Sequence, residues 1–506
     1  MIDPWMIGPL TFGLILLLGA LLTRVKGIRA AVTLVLTKIP MVERPRWHVP
    51  LKTKLMFTAA ILILYFAMGN IPLFGLSPES MDLFGQWRAI FAGERFSLTA
   101  LGIMPIISAS LILQILAGPK LGKLDLSDPK DQAFYLNLHK LLVLCFVFLA
   151  SFSYVIGFYK PDPGLAYQLG VSLQFISFLI FLQVFFGGML IYYMEGVVTK
   201  WGVGSGIGIL IVAGVTQQLI TGLISWMPDS SGLAVGVIPR WIEITQQVVP
   251  YKQSESWLAF IFQNYLIALI TTVAVFLLVV YLTCARIDVR IPGYLKRRRC
   301  RSKVRFPITL MHFSYAIVAP LVFFQGGWAI LACVQGIGRL LWCRGITRFG
   351  TYDAQGNAVS GLMYYLDPIY GPRDWIPSLV HISTPTIAGW QIAVRLAVGI
   401  SIMVAVAMLI ALIWLKLTPG LETRDIKAMV RDSGLPIYGH RNGLKAIKRA
   451  VDRIAPKIAI LGCGILGALL VVANMFGTLG NVSVLYLIVS VIVIYGIYGE
   501  VRYGLC

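Results

Sequence analysis

The 506-residue sequence has few charged residues, 43 Lys plus Arg and 22 Asp plus Glu, which together make 13% of the chain. A soluble globular protein carries about 25%, so roughly half of the usual solvating charge is missing. The five histidines and seven cysteines are scattered, and no pair has the spacing of a metal site or a disulfide framework. These scarcities exclude an ordinary soluble enzyme, a disordered chain and a secreted disulfide scaffold. They also predict no catalytic centre, no metal site and no cofactor.

Hydrophobic residues, in contrast, make 58% of the chain. A transmembrane helix needs ~20 consecutive apolar residues. Ten runs are candidates for such helices, in two groups of five: 56–71, 97–116, 141–158, 171–193, 207–226, 257–284, 310–334, 388–417, 458–475 and 482–501. They are too long for barrel strands, which alternate over ~10 residues. The sequence predicts an all-α polytopic membrane protein with about ten transmembrane helices.

The net charge of +21 is concentrated in loops 285–306 and 417–457 and in the segment before the first span. With ten spans, these three segments lie on the same side, which the positive-inside rule identifies as the cytoplasm. Orientation alone accounts for some of the lysine and arginine. A dense cationic cluster also suits the phosphates of cytosolic RNA, such as a ribosome surface. Charge alone favours neither interpretation.

Residues 1–31 contain a further apolar run, 5–22, followed by Arg24, Lys26 and Arg29. The run fits an additional span or a signal-like segment. It also fits a region upstream of the functional core, and the sequence leaves these alternatives open.

Two isoleucine pairs lie within the predicted spans. Ile103 and Ile107 are spaced i, i+4, as are Ile207 and Ile211, so each pair shares one helix face. Such pairs are usually ordinary packing. The glycines of 204–208 favour close approach of helix backbones. No lysine follows them and no strand precedes them, which excludes a phosphate-binding loop.

The segment between the first two spans, from Ser80 to Phe91, predicts a short amphipathic helix with Leu83, Trp87 and Ile90 on one face. It is too short and too charged to cross a bilayer. It fits an interfacial helix or a helix folded back into a cavity.

Several longer motifs follow one another in a distinctive order. They are Lys38-Ile-Pro-Met-Val-Glu-Arg-Pro, Ile71-Pro-Leu-Phe-Gly-Leu, Leu101-Gly-Ile-Met-Pro-Ile-Ile-Ser-Ala-Ser-Leu-Ile-Leu-Gln, Val198-Thr-Lys-Trp-Gly-Val-Gly-Ser-Gly-Ile-Gly and Arg290-Ile-Pro. In these motifs, their spacing and the loop lengths, the chain resembles the SecY family, the channel subunits of the Sec protein translocase. The resemblance is greatest to its archaeal and eukaryotic branch and extends from about Val32 to the C-terminus.

The resemblance implies two inverted halves of five spans, 32–226 and 257–501, joined by an external loop, 227–256, around an hourglass pore. It implies an apolar pore ring formed by Ile103, Ile107, Ile207, Ile211, Ala319 and Leu487. A plug, 75–95, is expected to cap this ring, with Met81, Leu83, Phe84, Trp87, Ile90 and Phe91 as its apolar residues.

The family also has a lateral gate, through which apolar segments leave the pore for lipid. The matching positions are Ser108, Gln114, Ala150 and Tyr315. The basic loops match the family's ribosome-docking loops, with Arg290, Arg297, Arg298, Arg299, Arg441 and Lys445 as expected contacts.

Three positions depart from the family pattern. Ala319 is smaller than the usual aliphatic ring residue, with Val318 as an alternative, Tyr315 stands in place of an asparagine, and Ala150 occupies a polar position of the third span. The polar part of the gate is thereby reduced to Ser108 and Tyr315. We expect this channel to open to signals of different hydrophobicity than its relatives do.

The predicted function is therefore a non-enzymatic, protein-conducting channel. It is expected in the plasma membrane of a prokaryote, in particular an archaeon. The expected partners are SecE- or gamma-type and beta-type small subunits, the ribosome, nascent polypeptides with signal sequences, and membrane lipid.

A secondary transporter built on inverted repeats is the alternative, and it predicts an ionisable site near the bilayer midplane. The deep candidate charge, Arg395, is expected near the outer start of its span, where its side chain can reach water. A passive membrane anchor for ribosomes is a third possibility.

Overall fold

The described parts of the chain are mostly helical. A computed structural model describes residues 42–47, 49–77, 80, 93–94, 96–117, 129–157, 159–228, 233–246, 266–284, 286–293, 302–309, 338, 341–342, 347–352, 358–367, 369, 371, 375–376, 387–417, 441–482 and 484–504. The predicted seventh span, 310–334, and the N-terminal residues 1–31 lie outside these ranges.

The helices follow the predicted apolar runs. They are α1 (Leu51–Gly69), α2 (Met104–Ala117), α3 (Pro129–Gly157), α4 (Pro163–Leu169), α5 (Leu173–Trp201), α6 (Gly206–Ile224), α7 (Val237–Thr245), α8 (Leu266–Cys284), α9 (Leu362–Tyr365), α10 (Gly389–Leu417), α11 (Arg441–Phe476) and α12 (Val484–Gly504). Within the described ranges, five stretches are long and apolar enough to cross a membrane: α1, Ala133–Ile156 of α3, α5, α6 and Gly389–Leu412 of α10. Shorter apolar stretches lie in α8, α11 and α12. The prediction of an all-α, multi-pass membrane protein is confirmed.

The second predicted span begins later than its apolar run suggests. Residues 97–103 form turns, and α2 starts only at Met104. Gly102 has a φ of 56°, and its N–H donates to the Thr99 carbonyl at 2.8 Å. Pro105 then lies in the first helical turn, where its missing N–H costs no hydrogen bond. The predicted boundary at 97 is therefore wrong by about two helical turns.

The first basic loop contains a β-hairpin that the sequence analysis missed. Strand β1 (Arg286–Gly293) pairs antiparallel with β2 (Ser302–Thr309), and Arg290 is opposite Arg305. The signal was present, because apolar and polar residues alternate from Ile287 to Ile291. A second pair, β3 (Thr351–Tyr352) and β4 (Ala358–Ser360), is short.

The chain divides into two compact units. One contains the residues up to Gln218 and those from Val493 onward, and the other contains Leu219–Ile492. The first unit holds a buried cluster of Leu73, Ala100, Leu101, Tyr154, Tyr159, Ala166, Ile176, Ile180 and Val184. A Cβ atom added to Gly187 of α5 would lie 1.9 Å from the Leu98 carbonyl oxygen. Close packing of this kind holds helices together in lipid, where the hydrophobic effect between them is absent.

In the second unit, α10 packs along α11. The connection before α10 is attached to both helices. The indole N–H of Trp375 donates to the Met475 carbonyl at 2.8 Å, and the Gly371 N–H donates to the Asn474 carbonyl at 3.0 Å. Leu479, in the 3-10 turn Leu479–Asn481, donates its N–H to the Thr272 hydroxyl of α8 at 2.9 Å. These contacts fix one end of the unit.

The expectation that the Arg395 side chain reaches water is wrong. Its residue surface is only 6% exposed. Its guanidinium pairs with the Asp367 carboxylate at 3.0 Å and lies 4.8 Å from the centre of the Tyr364 ring. The charge is neutralised inside the protein, because the preceding connection places an acid and an aromatic ring beside it.

Candidate functional site

The first pair of proposed ring residues lies at the start of α2. Ile103 is fully buried and precedes the helix, and its carbonyl accepts the Ile107 N–H at 3.0 Å. Ile107, in the first turn, is half-buried. The two residues are joined by one helical hydrogen bond, as the i, i+4 spacing predicts.

The second pair lies in the first two turns of α6, where Ile207 is half-buried and Ile211 is buried. The neighbouring glycines serve packing. A Cβ atom on Gly204, whose φ is 70°, would lie 3.0 Å from Ile497, and one on Gly208 would lie 2.9 Å from Val493. The prediction that these glycines allow close helix approach is confirmed.

The remaining ring positions are less fully described. Leu487 of α12 is buried in the second unit. Ala319, and with it Val318, lies outside the described residues. So do all six apolar plug residues predicted between Met81 and Phe91.

The first described residues of the predicted plug, 75–77 and Ser80, form an N-terminal anchor. Ser80 is buried, and its hydroxyl accepts the Lys160 N–H at 3.0 Å and donates to the Lys160 carbonyl at 3.2 Å. The Ser77 N–H donates to the same carbonyl at 2.9 Å, and Leu76 pairs with Pro161 in an antiparallel bridge. This anchor attaches to the loop between α3 and α4.

A glutamine supports the same anchor from α5. The Gln183 carboxamide accepts the Phe74 N–H at 2.9 Å and donates to the Phe74 carbonyl at 3.1 Å. Both backbone groups of Phe74 are thereby satisfied, as a neighbouring strand would satisfy them. Gly75 follows with a φ of 84°, and a Cβ atom there would lie 2.7 Å from Ile176.

The end of the predicted plug and the residues that follow it form a C-terminal anchor, defined here as residues 93, 94 and 96–99. The Glu94 N–H donates to the Thr99 hydroxyl at 3.2 Å, and the Ser97 hydroxyl donates to the Glu94 carbonyl at 3.1 Å. The Glu94 carboxylate accepts a hydrogen bond from the Gln217 amide of α6 at 3.2 Å. Phe96 has a φ of 54° and contacts the Tyr159 ring edge-on at 5.9 Å. Neither anchor was predicted from the sequence, because Ser80 and Glu94 each bind a residue that is distant in the chain.

The proposed lateral-gate positions are only partly described. Ser108 is half-buried, and Ala150 packs against the buried cluster of the first unit. The Gln114 side chain and Tyr315 lie outside the described residues. A polar contact that the sequence analysis missed lies nearby, where the Ser110 hydroxyl and the His139 Nε2 of α3 are 3.0 Å apart. The available signal was a histidine just before the predicted apolar run 141–158.

The motif that precedes the first span docks on the end of α5. Lys200 donates a hydrogen bond to the Val42 carbonyl, and the Trp201 indole donates to the Glu43 carbonyl at 2.9 Å. Trp47 contacts the Trp201 ring edge-on at 6.4 Å. Two of the motifs found in the sequence therefore meet in space.

The expected ribosome contacts fall on two elements. Arg290 lies in β1, and Arg441 and Lys445 lie on the first turns of α11. Arg297, Arg298 and Arg299, between the two strands, lie outside the described residues.

These features define a multi-pass helical membrane protein in which an anchored segment precedes a membrane helix that begins inside its apolar run. A family model described as SecY matches residues 97–498, and a model described as the plug domain of Sec61p matches residues 63–95. The chain belongs to the SecY family.

Relatives and solved structures agree with this assignment. The protein translocase subunit SecY of Archaeoglobus fulgidus is 43% identical, over 92% of this chain and 93% of the relative. The subunit of Halobacterium salinarum is 35% identical, over 94% and 96%. A structure described as a protein conducting channel has a TM-score of 0.65 at 28% identity, covering 93% of this chain and 96% of the other. Sec61 in a canine ribosome-channel complex from the endoplasmic reticulum has a TM-score of 0.64 at 28% identity, with the same coverage.

Proposed function

We propose that this protein is the protein-conducting channel of a Sec translocase. It moves nascent polypeptides across the membrane and releases transmembrane segments sideways into lipid. The single observation that carries the proposal is the plug-domain match at 63–95, followed by Ile103 and by the helix that bears Ile107. A plug domain next to a pair of aliphatic residues suits a pore that is sealed at rest.

The proposed ring explains how such a channel passes polypeptides yet retains ions. A narrow constriction lined by aliphatic side chains dewets, which blocks hydrated ions. The ring consists of Ile103, Ile107, Ile207, Ile211, Ala319 and Leu487. Aliphatic side chains are flexible and offer no hydrogen bonds, so they tolerate any polypeptide sequence. No covalent chemistry is involved, and the role is not enzymatic.

Sideways release depends on a gate between the two halves, 32–226 and 257–501, with Ser108, Gln114, Ala150 and Tyr315 at its proposed seam. A sufficiently apolar segment partitions into lipid because the bilayer core favours it over the aqueous pore. The nascent segment biases a helix interface that has two arrangements.

The partners follow from charge and from the relatives. The segment before α1 and the loops 285–306 and 417–457 face the cytoplasm of an archaeal plasma membrane, by the positive-inside rule. Their arginines and lysines suit ribosomal RNA, and a similar channel, Sec61, was solved in a ribosome-channel complex. A SecE- or gamma-type subunit and a beta-type subunit complete the assembly.

The small-solute transporter is disfavoured. It needs a free ionisable site near the midplane, and the deep charge that the sequence offered, Arg395, is paired with Asp367.

A photocrosslinker at Ile107 tests the proposal in the reconstituted complex, with ribosomes stalled on secretory chains of increasing length. We expect a crosslink to a nascent-chain position that shifts as the chain lengthens. A crosslinker at Ile63 of α1, which is 70% exposed, is the control for contacts made from the lipid-facing surface. If ribosomes bind but no crosslink forms at Ile107 at any chain length, the channel proposal is contradicted. The protein would then act only as a docking platform for ribosomes.

A further inference from the structure

The C-terminal anchor is joined to α6 by a contact between two side chains. The Gln217 amide donates to the Glu94 carboxylate at 3.2 Å, and both residues are half-buried. Glu94 is the penultimate residue of the plug-domain match, 63–95. The contact therefore joins the end of the plug domain to a membrane helix 123 residues further along the chain.

The backbone around Glu94 is held in place, so its carboxylate is presented from a fixed point. Its N–H donates to the Thr99 hydroxyl, and its carbonyl accepts from the Ser97 hydroxyl. A Cβ atom on Gly93 would lie 2.9 Å from the Thr99 carbonyl oxygen, so the chain is tightly packed just before this point. A hydrogen bond to a carboxylate is stronger than one between neutral groups, because the acceptor is charged.

Gln217 lies on the helix that carries the second pair of proposed ring residues. It is six positions beyond Ile211, about 9 Å along the helix axis. A shift or rotation of α6 that moves Ile207 and Ile211 also moves the amide away from Glu94. The ring and the end of the plug domain are mechanically joined through this helix.

The N-terminal anchor is built differently. Ser80 and Ser77 form hydrogen bonds with backbone groups of Lys160, in the loop between α3 and α4. A movement of α6 leaves these contacts in place. The N-terminal and C-terminal anchors therefore respond differently when the ring-bearing helix moves.

We propose that the Glu94–Gln217 hydrogen bond is a latch that couples the plug domain to α6 and sets how readily the channel opens. Glu94 and Gln217 are positioning residues, since they act through the plug and the ring and not on the transported chain. This inference rests on the proposed channel function.

The test compares variants of the full complex reconstituted in planar bilayers and in proteoliposomes. Gln217→Leu removes the donor at similar volume, and Glu94→Ala removes the acceptor. We expect each to raise the resting ion conductance about fivefold, as loss of a bond that must break when α6 moves predicts. We also expect each to increase translocation of a substrate with a weakened signal sequence. Thr216→Val, an exposed neighbour on α6, is the matched control and leaves both readouts unchanged.

The exchanged pair, Glu94→Gln with Gln217→Glu, separates a latch from a general packing effect. It restores an amide–carboxylate bond with the roles reversed, so both readouts return towards the wild-type values. The latch proposal is overturned if the single variants show the wild-type resting conductance. It is also overturned if the exchanged pair conducts as much as the single variants do. Failure of the channel proposal itself shows in the wild-type protein, as the absence of any nascent-chain crosslink at Ile107.

Discussion

Arg395 of α10 and Asp367 of the preceding connection form an ion pair of 3.0 Å, in which only 7% and 22% of the side chains are exposed. The Arg395 Nε also donates to the Asp367 carbonyl at 3.2 Å, and the guanidinium lies over the Tyr364 ring. Asp367 thus accepts hydrogen bonds from two donors of the buried Arg395 guanidinium, through its carboxylate and its backbone carbonyl. These bonds hold the connection against α10.

Removal of the Asp367 carboxylate alone is expected to destabilise the protein more than removal of both the Asp367 and Arg395 charges. Asp367→Ala leaves the Arg395 charge buried, which costs about 3 kcal/mol or more. The double variant Asp367→Ala, Arg395→Met removes both charges and recovers part of that loss. Thermal unfolding of the detergent-solubilised complex measures both effects. Equal losses in the single and double variants would show that the connection, and not the charge, carries the stability.

Gly187 and Gly399 are expected to respond oppositely to alanine. A Cβ atom on Gly187 would lie 1.9 Å from the Leu98 carbonyl oxygen, whereas one on Gly399 of α10 meets nothing within 4 Å. Gly187→Ala therefore forces α5 away from the turns before α2, at a cost of about 1–3 kcal/mol. Gly399→Ala is neutral or stabilising by up to ~1 kcal/mol, because alanine favours a helix. Yield and melting temperature of the purified complex check both, and an unaffected Gly187→Ala would contradict the close approach.

Ser80→Ala is expected to loosen the N-terminal anchor. The variant loses both hydrogen bonds between the Ser80 hydroxyl and the Lys160 backbone, which costs about 1–2 kcal/mol. Hydrogen–deuterium exchange of the Lys160 amide in nanodiscs should become roughly fivefold faster or more. Ser153→Ala, whose hydroxyl binds only the Leu149 carbonyl of its own helix among the bonds described here, is the control. Unchanged exchange in Ser80→Ala would mean that other contacts hold the anchor.

Tyr315→Asn tests the expected difference in signal response. The family resemblance leads us to expect an asparagine at this position, and Tyr315 lies outside the described residues. A more polar gate is expected to raise the hydrophobicity that a segment needs before it leaves for lipid. Insertion of a series of segments with graded leucine content measures the threshold. An unchanged threshold refutes the idea that Tyr315 tunes it.

The sequence by itself determined the class of the protein and most of its membrane helices. The apolar runs at 171–193 and 388–417 are long enough that no other structure satisfies their backbone in lipid, so their prediction needed no tertiary information. The orientation inferred from the basic loops is likewise a prediction from the sequence alone. The motifs around Ile71, Leu101 and Val198 indicated the family before any contact was known. Alternation along Ile287–Ile291 also indicated the hairpin, but only the charge of that loop was interpreted, as a signal of orientation or of RNA binding.

Only the tertiary structure decided which polar groups meet. Arg395 and Asp367 are 28 residues apart, Phe74 and Gln183 are 109 apart, and Glu94 and Gln217 are 123 apart. Local propensity and hydrophobic period describe residues within one element, where neighbours recur at fixed spacing. Contacts between elements depend on how close the helices come, and in lipid this depends on small residues such as Gly187 and Gly208 and the atoms packed against them. The anchors and the latch are therefore properties of the packed chain, and the spans are properties of its sequence.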